Sequence, residues 1–445
     1  MQVIKGFDAG KEALDRGSLR VWDSATPEVL DRIEKLFGEH LTPREVVGRI
    51  LDAVRWRGDN AVLGYTSMID GVELESLEVS KATMKRAYDG ISTDLRNAME
   101  TVKGRVRSFH EACIPHTWMD ETTGLGEQFT PMARAGVYAP GGLAAYPSSV
   151  LMTVVPAKVA GVSEVILATP SGSESGPNQT VLAAAYIAGV DRVFQMGGAQ
   201  AIAAMAFGTK SVPKVDIVCG PGNIFVTLAK QMVYGEVAVD GLYGPTETLL
   251  IADESADAVL CAADLLAQAE HDALASPIFI TTSETVLTRV VEQVTKQLEM
   301  LPKRKIAAAA LEGQGAFVLV DNLDEAVMLG NLYSPEHMCL FVKEPRELMA
   351  KVRNAGGVFL GESSPEVAGD YIAGPSHVMP TGGTARFNSS LGVHQFLKVT
   401  SLIGLKAETF HALGQDAARL AEAEGLDGHA RAAQIRLERA DGGSQ

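Results

Sequence analysis

The chain alternates between stretches with helical periodicity and short apolar runs, and its first part carries mainly the helical pattern. Between residues 27 and 62, apolar side chains recur at the three- and four-residue spacing of one helix face, beginning with Val29, Leu30, Ile33, Leu36 and Phe37. A Thr42-Pro43 step then supplies an N-cap and a first-turn proline for a further helix. The pattern predicts helices up to about residue 111.

Beyond residue 134 the pattern changes to short apolar segments that alternate with helices. The expected strands include "EVILATP", "RVFQMGG", "VDIVCGPGN", "TLLIAD", "PIFITT" and "AFVLV", and helical segments such as "NQTVLAAAYIAGV" lie between them. Strands that are apolar throughout and alternate with helices indicate parallel sheets covered on both faces. The sequence therefore predicts an α/β fold with two Rossmann-like lobes built on parallel sheets, plus small helical segments at the N- and C-terminal ends.

The connections between these segments contain no low-complexity linker. We therefore expect the two lobes to pack closely, and a cleft between them is the default place for a ligand. From about residue 392 the sequence reads as helical and ends in the polar "RADGGSQ", which we expect to fray.

Charge and composition narrow the classes of function. The 445 residues carry a net charge of −16, which argues against nucleic-acid binding because that activity depends on clustered Lys and Arg. The four cysteines are scattered without a CxxC, as expected for reduced thiols rather than disulfides. Apolar runs such as "VLAAAYIAGV" are about half of the ~20 residues needed to cross a bilayer, and the first residues lack a signal-peptide core. We expect a soluble, cytoplasmic protein that binds neither nucleic acid nor membranes.

Three glycine-containing loops follow predicted strands. They are Pro140-Gly141-Gly142, Gly197-Gly198-Ala199-Gln200 and Gly220-Pro221-Gly222-Asn223. Glycine permits close approach of the backbone to a ligand, and strand-to-helix turns present amide donors to anions. None of the loops matches GxGxxG with an acidic residue about 20 positions further on. The sequence of these loops fits either tight turns or a nucleotide or phosphate site.

Two segments place polar side chains within apolar surroundings. In "LLAQAEHDAL", Gln268 and His271 stand three apart, so on a helix they would share one face. In "YSPEHMCLF", Glu336 adjoins His337 just before an apolar run. An acid beside an imidazole can divide general-base and general-acid roles near neutral pH, although such neighbours are also common on protein surfaces.

Two later segments are rich in glycine and titratable residues. "GDYIAGPSHVMPTGGTARF" contains Asp370, His377 and Arg386 in a loop-rich stretch that suits either the rim of a site or an elaborated loop. "AEAEGLDGHARAAQIR" carries Glu424 and His429 around a glycine break, and by themselves these two fit a solvated helix end.

Taken together, these segments resemble the histidinol dehydrogenase family over roughly residues 40 to 435. The matching segments, in the family's order, are "VYAPGG", "YPSSVLMTVVPAKVAGV", "MGGAQAIAAMAFGT", "GPGN", "AQAEHD", "PEH", "GPSHVMPTGGTARF" and "EGLDGHA". One such segment would be poor support, whereas a series in register over most of the chain is specific to the family.

The resemblance implies a zinc site. In the family, the residues that match Gln268, His271, Asp370 and His429 bind zinc. Zinc accepts nitrogen and oxygen donors where thiolates are absent, and a mixed ligand set leaves room for a substrate.

The resemblance also implies a reaction and a second cofactor. The family oxidises L-histidinol to L-histidine through histidinaldehyde, in histidine biosynthesis, and reduces two NAD molecules. The family's NAD contacts map onto Tyr138, Gln200 and Asn223, one in each glycine-loop segment. By analogy, His337 would accept the alcohol proton, and Glu336 would activate the water that hydrates the aldehyde.

The family's substrate contacts and quaternary structure carry over in the same way. The implied substrate contacts are Thr246, Gln268, His271, His337, Asp370, Glu424 and His429, with His377 close by. The family forms an intertwined homodimer whose carboxy-terminal segment completes the neighbour's site, so Glu424 and His429 would come from the second chain.

The resemblance further implies that one lobe is inserted into the other. The expected domains are an N-terminal extension (1–33), a first α/β lobe (34–137 and 248–391), a second α/β lobe that contacts NAD (138–247), and a C-terminal helical segment (392–445) that completes the partner's site.

The match departs from the family's usual pattern at Thr246, where serine is common. The hydroxyl is kept, but the extra methyl group narrows the pocket. Relatives such as sulfopropanediol dehydrogenase oxidise other alcohols to acids, so an enzyme for another substrate, such as a sulfonated diol, is an alternative. A further alternative is a two-lobed zinc-binding protein without catalysis.

Overall fold

The computed structural model describes residues 2–17, 25–141, 145–172 and 176–441. Gly142 of the first glycine loop, part of the N-terminal extension and the last residues of the polar tail lie outside these ranges. Strands β1 to β15, in chain order, span Gln2–Lys5, Glu78–Val79, Trp118–Asp120, Leu125–Pro131, Arg134–Tyr138, Glu164–Thr169, Arg192–Gln195, Ile217–Cys219, Ala238–Val239, Glu247–Ala252, Ser276–Thr281, Ala316–Leu319, His337–Phe341, Gly357–Leu360 and Leu397–Ile403.

The helices connect and cover these strands. Helices α1 to α18, in chain order, span Phe7–Ala13, Pro27–Phe37, Pro43–Arg57, Asp59–Asp70, Lys81–Gly90, Thr93–Glu111, Pro147–Val159, Gln179–Ala188, Gly198–Phe207, Ile224–Val233, Ala258–Ala269, Glu284–Leu298, Arg304–Gly313, Leu323–Tyr333, Pro345–Met349, Glu366–Tyr371, Ala407–Ala423 and Asp427–Asp441. Within the described ranges, no helix is both long and apolar enough to cross a membrane.

The first sheet has six parallel strands in the order β1-β12-β11-β10-β13-β14. Its central strand β10 is buried along its whole length, as the apolar run "TLLIA" predicts. Leu249 and Ile251 pack in the core cluster that contains α14 residues, whereas Leu250 packs in the cluster that contains residues of α11, α12 and α13. Alternate side chains of a strand point to opposite faces, so both faces of this sheet are covered.

The second sheet also has six strands, in the order β2-β7-β6-β5-β8-β9. All of its pairs are parallel except β2 with β7, which is antiparallel. Both sheets have the same strand topology. From a central strand, β10 or β5, the next two strands of the chain lie to one side, and the two strands after those lie to the other. The predicted α/β fold with two sheets of this type is confirmed, with one antiparallel edge strand that the pattern did not indicate.

The predicted lobe boundaries are wrong in the N-terminal third of the chain. Helices α3 and α4, which we expected in the first lobe, share a core cluster with the second sheet and with α9 and α10. The expected N-terminal extension divides as well, because β1 pairs with β12 of the first sheet while Ile33 joins the core of the second. A helix's periodicity reveals which face is apolar, but it does not reveal which sheet that face meets.

Of the described residues, 114–131 and 397–441 form a second compact unit, and the others form the first. In the second unit, β15, β4 and β3 make an antiparallel sheet, and α17 packs against α18. The prediction of a helical tail from residue 392 is therefore wrong at its beginning, where β15 pairs along seven residues with β4. The partner strand lies more than 250 residues earlier in the sequence, so no local pattern marks the pairing.

Candidate active site

The acid–imidazole pair lies at the amino end of β13, next to the central strand of the first sheet. Glu336 immediately precedes the strand, and His337 begins it, paired with Thr248 of β10. Ser334 ends α14 in the left-handed region, with φ 56°, and this turns the chain into the strand. His337 is 2% exposed and Glu336 is 8% exposed. The two side chains are therefore buried and do not form a surface pair.

Glu336 is held by two donors. Its Oε2 lies 2.7 Å from the Thr246 hydroxyl and accepts a hydrogen bond from the Glu247 backbone N–H at 3.1 Å. Burial raises the pKa of Glu336 to about 7, against the lowering effect of His337 and of these hydrogen bonds. Such a carboxyl group can take up and release a proton near neutral pH.

His337 is oriented through its Nδ1. This atom lies 3.1 Å from the backbone oxygen of Glu247, a carbonyl that can only accept, so Nδ1 carries the hydrogen. The Nε2 atom is buried without a hydrogen-bond partner in the described part of the chain and lies 3.7 Å from Asp370 Oδ1. Burial lowers the pKa of His337, but the carboxylates of Glu336, Glu366 and Asp370 outweigh it and raise the pKa to about 9.

An amide–carboxylate network adjoins the pair. Gln268, in the last turn of α11, places Oε1 3.0 Å from the Thr246 hydroxyl and donates from Nε2 to Asp370 Oδ2 at 3.3 Å. The single hydrogen of Thr246 is thus shared between Gln268 and Glu336. Four residues predicted from the sequence, Thr246, Gln268, Glu336 and Asp370, are in one hydrogen-bonded network.

The structure corrects the expectation that Gln268 and His271 share a helix face. Helix α11 ends at Ala269, and His271 follows in a turn, where its N–H donates to the Gln268 carbonyl at 3.2 Å. The His271 side chain is exposed. Among the described residues, no group of three or more His, Cys, Asp or Glu side chains lies close enough to hold a metal ion. The four-ligand zinc site stays a prediction.

His377 joins the two lobes of the first unit. Its Nδ1 lies 2.8 Å from the Asp370 backbone oxygen, and its Nε2 lies 3.3 Å from the hydroxyl of Ser149, near the start of α7. Burial lowers the pKa of His377, while Asp370 opposes this, so the ring is neutral near pH 7. A neutral ring that donates from Nδ1 can accept the Ser149 hydrogen at Nε2.

A buried acid that the sequence patterns did not indicate lies beside this network. Glu366 is fully buried, and its Oε1 accepts hydrogen bonds from Thr248 Oγ1 and from Cys339 Sγ, the latter at 3.0 Å. Burial raises the pKa of Glu366. One signal was available, because Glu366 stands four positions before Asp370 and therefore lies on the same face of α16.

A second missed contact comes from the N-terminal segment. Arg16 forms a two-pronged ion pair with the Glu247 carboxylate, at 2.5 and 2.8 Å, and its guanidinium group stacks on Tyr333 at 3.6 Å from the ring centre. The Glu247 carboxylate also accepts the N–H of Gly382 at 3.0 Å. Since the Glu247 backbone contacts both Glu336 and His337, this pair fixes the strand that orients them.

The three glycine loops lie at the carboxyl ends of strands of the second sheet. Tyr138 ends β5, and its hydroxyl accepts the Gly198 N–H at 3.1 Å, which ties the first loop to the second. Gln200 is fully buried, and neither atom of its amide has a hydrogen-bond partner in the described ranges. Asn223 caps α10 by accepting from the N–H groups of Phe225 and Val226. Its Oδ1 is thus occupied, and its NH₂ group is what it can offer to a ligand.

A buried ion pair supports the third loop. The Lys230 ammonium lies 2.5 Å from Asp240 Oδ1 and donates to the Gly220 carbonyl at 3.0 Å. Asp240 Oδ2 accepts the Gly220 N–H at 2.7 Å, so the pair holds this glycine by both backbone groups. Gly220 has φ 109°, and a Cβ there would collide with the Tyr138 carbonyl oxygen, which excludes other residues.

The remaining two predicted site residues belong to the second compact unit. Glu424 follows the last residue of α17, and His429 lies in the first turn of α18. Both are exposed.

The fold and the site together define an α/β enzyme with a buried acid–imidazole pair beside an amide–carboxylate network. The sequence model described as histidinol dehydrogenase matches residues 39–437. The chain is 46% identical to the histidinol dehydrogenase of Deinococcus radiodurans, over 98% of this chain and 100% of that one. It is 50% identical to the enzyme of the same name from Thermus thermophilus, over 89% of this chain and 95% of that one.

A solved structure agrees with these sequence relationships. The histidinol dehydrogenase from Elizabethkingia anophelis superposes with a TM-score of 0.91 at 33% identity, over 98% of each chain. The chain therefore belongs to the histidinol dehydrogenase family, and it is a dehydrogenase that acts on a primary alcohol. The resemblance found in the sequence is confirmed, and the alternative of a zinc-binding protein without catalysis is set aside.

Proposed function

We propose that this chain oxidises L-histidinol to L-histidine through histidinaldehyde, with two NAD molecules as oxidants and zinc as a resident metal. Family membership over residues 39–437 supports the reaction. The observation that favours histidinol over a sulfonated diol is the charge of the site. Within the described ranges, Glu336 and Asp370 each form an ion pair with His337 and with no lysine or arginine. An acid-rich pocket favours a substrate with an amine and repels a sulfonate.

The donor set suits zinc. Gln268 and Asp370 supply oxygen atoms that already lie within one network, and His271 follows Gln268 by three residues. The zinc ligands would be Gln268, His271, Asp370 and His429 of the partner subunit, all nitrogen or oxygen donors. Bound zinc would fix the orientation of the substrate's amine and imidazole.

The glycine loops suit NAD. Both atoms of the buried Gln200 amide lack a hydrogen-bond partner in the described part of the chain, and a ligand with donors and acceptors would satisfy them. The Asn223 NH₂ group and the Tyr138 hydroxyl would complete the contacts, one from each loop segment. NAD bound there would accept the hydride.

His337 and Glu336 would carry the proton transfers. In the first oxidation the Nε2 atom of His337, which has no hydrogen-bond partner within the described ranges, would take the proton of the alcohol as the hydride leaves carbon. Charge neutralisation of Asp370 by a bound cation would remove one of the carboxylates that raise the pKa of His337. The neutral form of the His337 imidazole, which is the form that can act as a base, would then be favoured over the charged form.

Glu336 would act in the second oxidation. Its pKa of about 7 lets the carboxylate accept a proton from the water that adds to the aldehyde. The resulting diol can lose a second hydride to a second NAD. Since both side chains are buried, the aldehyde would be shielded from side reactions.

The test is a comparison of substrates on one protein. Zinc-loaded protein is incubated with NAD and either L-histidinol or a sulfonated diol, and NADH absorbance is followed. We expect NADH only with histidinol, at two molecules per substrate consumed. A His337→Asn variant should lose the reaction, whereas His40→Asn, at an exposed position, should keep it. NADH with the diol alone would disprove the proposed substrate, and no NADH with either would disprove the reaction.

We also propose that the active form is a homodimer. In the second unit, β15 is largely exposed and β4 is mostly half-buried, and apolar side chains remain open to solvent, including Ile403 at 76% and Leu420 at 66%. Exposed apolar patches of this kind mark interaction surfaces. A second copy of the chain would cover them and bring Glu424 and His429 of the partner subunit to the site.

Mixed dimers test this arrangement. The activity measured is histidine formation from histidinol, which should be largely lost in Glu336→Gln chains and in His429→Ala chains when each is tested alone. If sites are shared, a dimer with one chain of each type has one intact site, so a random equal mixture should regain about a quarter of wild-type activity. No recovery after subunit exchange would show that each site is made within one chain.

A further inference from the structure

Helix α4 ends at Asp70, beside the second glycine loop, and one oxygen of the Asp70 carboxylate has no hydrogen-bond partner among the described residues. Asp70 Oδ2 is buried and makes no hydrogen bond in the described part of the chain. Arg32 influences it only electrostatically, and the Arg32 guanidinium instead approaches the carbonyl oxygen of Ile69 at 3.5 Å. A buried carboxylate oxygen without a donor is costly, so its presence points to a ligand that is absent from the structure.

The position of this oxygen relative to the loop is specific. A Cβ on Gly197 would lie 3.4 Å from Asp70 Oδ2, so the carboxylate lies directly against the glycine that follows β7. The same Cβ would lie 2.8 Å from Pro170 Cβ, and one on Gly141 would lie 2.5 Å from Pro170 Cγ. The turns after β5, β6 and β7 therefore meet here, and glycine at two of them lets the backbone pack closely against Pro170 and the Asp70 carboxylate.

Other unsatisfied polar groups surround the same place. Among the described residues, the buried amide of Gln200 has no partner on either atom, and its Oε1 would lie 2.9 Å from a Cβ on Gly198. The Gly198 N–H is held by the Tyr138 hydroxyl, and the charge of Asp70 raises the pKa of Tyr138 further, after burial, to about 12. Around one glycine turn, Asp70 thus offers an anionic hydrogen-bond acceptor, Gln200 an amide and Tyr138 a hydroxyl.

The chemistry of this group matches a ribose. An ionised carboxylate accepts hydrogen bonds only, and its two oxygens can accept from the two hydroxyls of a vicinal diol. In doubly wound α/β proteins that bind dinucleotides, a carboxylate near the glycine turn serves the ribose in this way. Here the acid is contributed by a helix that precedes the sheet, so a search for an acidic residue after the glycines does not find it.

We propose that Asp70 accepts hydrogen bonds from ribose hydroxyls of NAD, and that it makes the site prefer NAD to its 2′-phosphorylated form. The inference rests on the proposed function, since it takes the glycine loops as the NAD site. A 2′-phosphate would remove one of the donors and place a second anion against the carboxylate.

The test measures NAD and NADP on three variants. Binding of each nucleotide is followed by calorimetry, and KM and kcat are measured with saturating histidinol. Asp70→Asn keeps the shape and removes the charge, Asp70→Ala removes the acceptor, and Asp52→Asn is the control at an exposed position. Loss of a hydrogen bond to a charged group should weaken NAD binding by about 10- to 100-fold. We expect kcat to change little and the preference for NAD over NADP to fall by a similar factor.

Stability distinguishes this role from a structural one. Because Asp70 Oδ2 is buried without a hydrogen-bond partner among the described residues, Asp70→Asn should leave the thermal midpoint of the ligand-free protein unchanged or higher, while NAD binding weakens. A lower midpoint with an unchanged NAD-to-NADP ratio would overturn the inference, as would unchanged nucleotide affinities in both Asp70 variants. If the wild-type chain binds NAD but does not oxidise histidinol, the proposed function fails, and the calorimetric comparison still decides the role of Asp70.

Discussion

The buried ion pair of Lys230 and Asp240 offers a sharp test of how the third glycine loop is held. The two side chains are 2% and 0% exposed, and both bind the backbone of Gly220. We expect Lys230→Met to keep most of the buried stem and to remove only the charge and its donors. Asp240 is then left as an uncompensated charge in the protein interior.

The expected cost follows from that burial. Removal of one partner of a buried pair destabilises a protein by about 3–5 kcal/mol, a large part of a typical 5–15 kcal/mol of total stability. The double variant Lys230→Met/Asp240→Asn carries no buried charge, so it should return to within about 2 kcal/mol of the wild type. Lys85→Met, in an exposed pair with Asp89, is the matched control and should show no measurable change.

The assay combines denaturation and nucleotide binding. Urea midpoints at constant slope give the stability differences, and KM for NAD reports on the loop. The single variant should lose both stability and NAD affinity. The double variant should regain stability but keep the raised KM, because Gly220 still lacks the Lys230 donor. A single variant as stable as the wild type, or a double variant no better than the single, would refute the reasoning.

Three further predictions concern other parts of the chain. Glu336→Gln should slow the aldehyde-to-acid step more than the alcohol oxidation, as measured by separate assays with histidinol and histidinaldehyde; equal effects on both would count against water activation. Ser92→Ala removes the side chain that caps α6 and should cost about 1 kcal/mol in thermal denaturation, and no loss would show that the cap is redundant. Burial raises the pKa of Asp70 from 3.8 to about 6, so its ionisation disfavours the folded state as pH rises through that range. The stability advantage of Asp70→Asn should therefore be absent near pH 4 and reach about 1 kcal/mol above pH 7, after allowance for partial exposure, and a pH-independent difference would contradict it.

The main strands and helices could be predicted because their signals are local. An apolar run such as "TLLIA" has to be buried on both faces, and an alternation of such runs with helices leads to parallel sheets. Thr42 and Glu45 form the capping box that begins α3, as the Thr42-Pro43 step indicated.

Short and distant pairings could not be predicted. Strand β2 has two residues and β1 has four, so neither shows a usable period, and each exists because a neighbouring strand supplies its hydrogen bonds. The end of α11 at Ala269 was also missed, because the apolar pattern continues past the point where the helix stops. Periodicity also did not assign α3 to the second sheet, because it reveals which face of a helix is apolar but not which sheet that face meets.

By itself, the sequence determined the α/β class, the order of the main elements, the acid–imidazole pair and, through its motifs, the family. Only the tertiary structure decided how Thr246, Gln268, Glu336 and Asp370 meet at the amino ends of β10 and β13. The same is true of which carboxyl groups surround His337. The same holds for the oxygen of Asp70 that has no hydrogen-bond partner among the described residues. The physical reason is that residue types and their spacing are local properties of the chain, whereas burial, hydrogen-bond partners and pKa depend on side chains brought together from distant parts of the sequence.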